Sequence, residues 1–214
     1  MTTNEQENIK TGTTTLGMVC KDGVVMATEH RATMGTLIAH TDTQKLFRID
    51  DHIGLTTAGL VGDAQSLARY ITAEAELYRL KRDQPMTIKA ASTLTANILS
   101  GNRYFPFWVQ LLLGGWDREG GHIYSLDAAG GSIPDKFCAT GSGSPYAYGV
   151  LEDNYNDNVT TAQGIDIAIK ALNAAMRRDS ASGNGYDIVV ISKDGWDPVS
   201  NEEVEKRKQK LNIK

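Results

Sequence analysis

The spacing of apolar residues along this chain switches repeatedly between the period of a strand and the period of a helix. The order of those switches limits the fold more than any other feature. Two-residue alternation predicts a strand over residues 13–20, and the hairpin turn Lys21-Asp22-Gly23 returns the chain as a second strand over 24–29. A looser segment, 31–43, leads to further strands over 45–49 and 53–58, with Asp50-Asp51 turning the chain between them. Then the period changes. Leu60, Ala64, Leu67, Ile71, Ala75 and Tyr78 share one face at helical spacing, with Arg69, Glu76 and Arg79 pointing elsewhere. Pro85 closes the connection, and Thr87 caps a second helix with the stripe Ile88, Ala91, Leu94, Ile98 and Leu99.

The second half repeats the scheme. Strands are predicted over 108–114, 122–126 and 132–139, followed by a helix over 146–155 behind a glycine-serine loop. Thr160 and Gln163 form a capping box for a helix that stacks Ile165, Ile169, Leu172 and Met176. A buried strand over 186–192 turns back at Lys193-Asp194-Gly195, and Ser200 with Glu203 opens a charged terminal helix. Strands in runs and helices in pairs are not the alternation of a parallel βαβ fold. The class is α+β: two antiparallel sheets bury their apolar faces on each other and helix pairs cover the outside, giving four layers in the order α-β-β-α.

At 214 residues the chain suits one domain and can bury roughly 70% of its unfolded surface. A net charge of −4, with only a mixed-sign tail at 205–210, offers no basic patch for nucleic acid. No apolar run reaches the ~20 residues that span a bilayer, and residues 1–10 lack the apolar core of a signal peptide. Cys20 and Cys138 lie in strand-like segments and are expected to be buried free thiols of a reducing compartment. Histidines 30, 40, 52 and 122 are scattered, so neither a metal nor a cofactor is expected. Gly141-Ser142-Gly143-Ser144 matches neither a P-loop nor a nucleophile elbow.

One stretch carries chemistry of its own. If the chain were cut between Gly12 and Thr13, the new first residue would hold an α-amine beside its own hydroxyl. A threonine hydroxyl is a weak nucleophile until a base removes its proton, and an amine with a pKa near ~8 suits that task. Taken singly, Thr13-Thr14-Thr15 is an ordinary strand, Lys45 a solvated strand residue, Glu29-His30-Arg31 surface charge, and Asp179–Gly183 a helix-capping loop.

Taken together, six blocks resemble one family. Gly12–Gly17, Ala27–Arg31, Lys45-Leu46-Phe47, Ala58–Ala64, Gly141–Ser144 and Arg178–Gly183 follow in the order found in proteasome β subunits, most like the catalytic β subunit of the archaeal 20S core particle. The resemblance covers essentially everything from Gly12 onward. It implies an N-terminal-nucleophile (Ntn) hydrolase fold and a threonine endopeptidase made as a zymogen, with residues 1–12 a propeptide removed by autocatalysis at Gly12-Thr13 and residues 13–214 the single mature domain.

Carried over residue by residue, the resemblance makes Thr13 the nucleophile. Lys45 becomes the cation beside it, and Glu29, where the family more often has Asp, the partner of that lysine. Ser142, Asp179 and Ser182 surround the Thr13 amine. Gly59 supplies the oxyanion N–H, with no side chain to obstruct the substrate carbonyl. Substrate would lie extended against Thr33, Gly59 and Val61, with Ala32, Phe47, Thr57 and Val61 lining an apolar primary pocket. The implied partners are a second β ring on a seven-membered β ring, α-subunit rings, a ring ATPase and unfolded polypeptide, in the cytoplasm. A bacterial two-ring peptidase of related fold, a non-catalytic ring subunit, and a ligand-binding module on the glycine-rich loops are the rivals.

Overall fold

The computed structural model describes residues 12–213. The expected propeptide therefore lies outside the described residues, apart from Gly12. Strand β1 (Thr15–Cys20) turns through Lys21-Asp22 into β2 (Gly23–Glu29), and Cys20 pairs with Gly23 across the tight turn. After β3 (Ala32–Met34) and β4 (Leu37–His40) come β5 (Leu46–Asp50) and β6 (Ile53–Gly59), then α1 (Val61–Arg82) and α2 (Ile88–Gly101). Strands β7 (Val109–Asp117), β8 (Gly120–Leu126), β9 (Ser132–Asp135) and β10 (Phe137–Thr140) lead to α3 (Ser144–Asn154) and α4 (Thr161–Met176). The chain closes with β11 (Tyr186–Ser192), β12 (Gly195–Pro198) and α5 (Asn201–Lys210).

The strands form two five-stranded antiparallel sheets, ordered β10-β1-β2-β11-β12 and β5-β6-β7-β8-β9, plus the small β3-β4 hairpin. Three apolar clusters fill the three spaces between four layers, and strand alternation decides which residue enters which. Leu16, Met18, Val25 and Ala27 face outward onto Ala147, Leu151, Ile169 and Leu172 of α3 and α4. Their neighbours Val24 and Met26 face inward, against Leu112 and Ile123 of the other sheet. Leu111 and Leu113 of β7 point the other way, onto Leu67, Ile71 and Ile88 of α1 and α2. Burial of both faces explains why these strands are apolar throughout. The expected α-β-β-α sandwich is the observed one.

Helix starts follow local chemistry. Thr87 accepts from Ala90 N, Ser200 from Glu203 N, and Thr160 with Gln163 closes both halves of a capping box. Three expectations need correction. The loose segment 31–43 contains the β3-β4 hairpin, bulged between Ala32 and Thr33. Leu60 is not part of the buried helical stripe; it precedes α1 and is half-exposed. The single strand expected over 132–139 is two strands in different sheets. Strand β9 pairs with β8 and β10 with β1, so the chain changes sheets at Lys136. Pro134, which has no N–H for a central ladder, lies on the edge strand β9.

Candidate active site

The two sheets bring their ends together at the start of β1. Thr13 and Thr14, just ahead of that strand, meet Glu29 at the end of β2 and Lys45 just before β5. All three site residues are buried: Thr13 is 3%, Glu29 0% and Lys45 5% exposed. A carboxylate sealed so completely needs donors at both oxygens, and it has them. Glu29 Oε2 accepts from Arg31 N at 2.6 Å and Gly183 N at 2.9 Å. Oε1 accepts from Thr14 N at 3.1 Å, from the Thr13 hydroxyl and from Lys45 Nζ.

Lys45 Nζ donates to Thr13 Oγ1, Glu29 Oε1 and the Arg31 carbonyl. Three acceptors match the three N–H bonds of an ammonium. Burial nevertheless pulls its pKa below the ordinary lysine value, and the Glu29 carboxylate opposes that pull without overcoming it. The Thr13 oxygen thus accepts from a lysine that holds its proton less tightly than usual, and donates to a buried carboxylate.

A second cluster holds the other side of Thr13. Thr13 N donates to Ser142 Oγ at 3.2 Å, and Ser142 in turn donates to Asp179 Oδ2 at 2.6 Å. Ser182 donates to the same Asp179 oxygen at 2.7 Å, which leaves it to accept from Thr14 Oγ1 at 2.7 Å. The loop that carries Asp179 and Ser182 follows α4. Arg31 fastens it, with Nε on Asn184 Oδ1 at 2.7 Å and Nη1 on the Ser180 carbonyl at 2.8 Å.

A small cavity of about 40 Å³ opens beside Thr13. Ala32, Thr33, Gln44, Thr57, Gly59, Val61 and Ala64 line it. Phe47 does not. It faces a neighbouring groove with Gln65 and Arg69 of α1, because its strand carries it past the cavity mouth. Thr57 N donates to the Lys45 carbonyl at 3.0 Å, so strand alternation aims the Gly59 N–H to the same side, beyond the start of β5. Gly59 has φ +123°, and a Cβ there would collide with the Trp108 carbonyl, just ahead of β7. The neighbouring backbone thus demands glycine here, a constraint separate from the substrate-clearance role that the resemblance implies.

Sequence reasoning missed Thr14, Arg31 and Gly183. The contacts that make them matter join positions 15 to 168 residues apart, and the only local hint was nearness in sequence to Thr13, Glu29 and Ser182. A larger groove of about 890 Å³ runs past His52, Arg79 and Lys193, where the Thr87 and Ser192 hydroxyls accept from the backbone N–H groups of Ala90 and Asp194. Among the described residues no group of side chains could hold a metal ion, and no helix is long and apolar enough to cross a membrane.

Comparison with known proteins places this geometry. Residues 9–191 match the proteasome subunit family. The chain belongs to that family. It is 54% identical over 210 residues to a proteasome subunit beta of Methanothermobacter thermautotrophicus, covering 98% of this chain and 100% of that relative. The proteasome subunit beta of Methanosarcina thermophila is 55% identical over 202 residues, 94% of this chain and 96% of the relative. That of Methanohalophilus mahii is 56% identical over 196 residues, 91% and 93% respectively. Among proteasome subunits, then, this is a chain of the β type, and its sandwich is the Ntn-hydrolase fold.

Proposed function

We propose that this chain is the catalytic β subunit of a 20S proteasome, a threonine endopeptidase that first releases its own leader. The observation that carries the reading is the position of the Thr13 hydroxyl, held between Lys45 Nζ and Glu29 Oε1 in a buried site. Before the cut, the Thr13 nitrogen is an amide and cannot act as base. The hydroxyl proton therefore leaves toward the Glu29–Lys45 pair as Oγ attacks the Gly12 carbonyl carbon. The Gly59 N–H faces the developing oxyanion. The proton is delivered to the Thr13 nitrogen, the Gly12–Thr13 C–N bond breaks, and an ester joins Gly12 to Oγ. Water then hydrolyses that ester, releasing the leader as an acid and restoring the hydroxyl beside a free amine.

On peptide substrates the new amine takes the proton from Oγ and passes it to the leaving nitrogen, and water clears the acyl-enzyme. Ser142, anchored by Asp179, already accepts from this nitrogen and would orient the amine. Substrate is read as an extended strand against Thr33, Gly59 and Val61, with Ala32 and Thr57 admitting an apolar side chain. In this reading residues 1–12 are removed and 13–214 form the mature domain. It works in the cytoplasm within a seven-membered β ring stacked on a second, capped by α rings and fed unfolded chains by a ring ATPase.

The test is hydrolysis of a fluorogenic apolar peptide by assembled particles, repeated with Thr13→Ala. Loss of activity in the variant is expected, and equal rates would rule out the assignment.

A further inference from the structure

Gly12 lies against the loop that follows α4. Its N–H donates to Thr33 Oγ1 at 3.3 Å, which fixes the seam between leader and domain. The space around residue 12 is what excludes a side chain. A Cβ on residue 12 would fall far inside van der Waals contact with Ala181 Cβ, and 2.7 Å from Ser142 Oγ.

The two obstacles differ in stiffness. Ser142 Oγ is the tip of a side chain and can swing aside, stretching its bonds to Thr13 N and Asp179 Oδ2. Ala181 Cβ moves only with its backbone, and that backbone is pinned. Ala181 N donates to Asp179 Oδ1 at 3.1 Å, Ser182 N to the Asp179 carbonyl at 3.1 Å, and Arg31 holds the Ser180 carbonyl. Behind the methyl, Ala181 Cα stands 3.5 Å from the same point, an ordinary contact.

We propose that the Ala181 methyl is the specificity-determining contact for leader release, restricting the residue ahead of the scissile bond to glycine by direct collision. A larger residue 12 would have to push the Gly12 carbonyl away from Thr13 or lift the loop that carries Asp179 and Ser182, and either move spoils the attack. The proposal rests on the self-cleavage reading above, and it adds the residue that does the selecting.

The experiment follows leader loss by intact mass over time in particles assembled with their α-type subunits, for four chains: wild type, Gly12→Ala, Ala181→Gly and the double variant. Wild type and Ala181→Gly are expected to lose the leader. Gly12→Ala should lose it about tenfold more slowly or worse, as overpacking of a rigid site predicts, and the double variant should recover to within about threefold of wild type. A double variant as slow as Gly12→Ala overturns the proposal, as does an Ala181→Gly chain that retains its leader or a Gly12→Ala chain that loses it at the normal rate. A wild-type chain that keeps its leader overturns instead the self-cleavage reading.

Discussion

Replacing Lys45 by Met removes the ammonium and keeps most of the stem's volume, so it separates charge from packing. Glu29 would stay fully buried without its counter-ion, and breaking a buried pair typically costs about 3–5 kcal/mol. The lower end applies here. The carboxylate keeps donors from the Thr13 hydroxyl and from the backbone N–H groups of Thr14, Arg31 and Gly183. A domain of this size can lose that much and remain folded. Chemistry has no such reserve. Thr13 Oγ would face a carboxylate with no positive charge beside it, and losing a positioned proton-transfer group costs about 10²–10⁴-fold. A thousandfold loss corresponds to about 4 kcal/mol of barrier.

The assay pairs intact mass with thermal unfolding of the assembled particle. Lys45→Met should retain residues 1–12 under conditions where wild type has shed them, while unfolding at a somewhat lower temperature. Full leader loss at the wild-type rate, in a variant shown to be folded, would refute the shared-site mechanism.

Three further outcomes follow from the same geometry. Burial pushes the Cys20 and Cys138 thiols up to about 12, so an alkylating reagent at pH 8 should leave both unmodified in the native particle and label both after denaturation; one native adduct counts against the burial argument. His30 Nε2 lies 3.0 Å from Asp187 Oδ1, an ion-pair distance whose angle falls short of a hydrogen bond, with Asp42 at 3.5 Å on the other nitrogen. Its pKa is raised chiefly by Asp187, then by Asp42 and Glu29, against the opposing pull of burial. Its stabilisation is therefore complete below the ordinary histidine value of 6.5 and lost as pH rises through the raised one. The melting-temperature loss in His30→Asn should accordingly be larger at pH 5.5 than at pH 9, and a pH-independent loss would remove the charge from the explanation. Gly59→Ala must place a Cβ against the Trp108 carbonyl at positive φ, which should destabilise by about 1–3 kcal/mol. It should also cost about 10²–10³-fold in peptide hydrolysis if the N–H moves, and unchanged kinetics would take Gly59 out of the site.

What could be read in advance was whatever depends on near neighbours. The caps at Thr87 and Thr160 are four-residue patterns, and the turn at Lys21-Asp22 needs only its own hairpin. The layers followed from the order of the elements, strands in runs and helices in pairs. The change of sheet at Lys136 was invisible because Ile133 and Phe137 flank it with the apolar spacing of one continuous strand. Resemblance supplied Thr13, Glu29, Lys45, Ser142, Asp179 and Ser182, and the fold sets Glu29 and Lys45 at the Thr13 hydroxyl and Ser142, held by Asp179 beside Ser182, at its nitrogen. It could not supply Phe47's displacement, which depends on where β5 crosses α1. Nor could it supply Arg31's grip on Ser180, a contact spanning 149 residues.

That spacing also sets a clock. Ser142 lies 129 residues beyond Thr13, and Gly183 lies 154 beyond Glu29. A ribosome therefore delivers Thr13, Glu29 and Lys45 early, and the loops whose Ser142 Oγ and Gly183 N–H hold Thr13 and Glu29 in place only later. On the self-cleavage reading proposed above, a half-translated chain would carry the bond to be cut before the contacts that pose it for cutting. Release of the leader would then wait until most of the polypeptide is made.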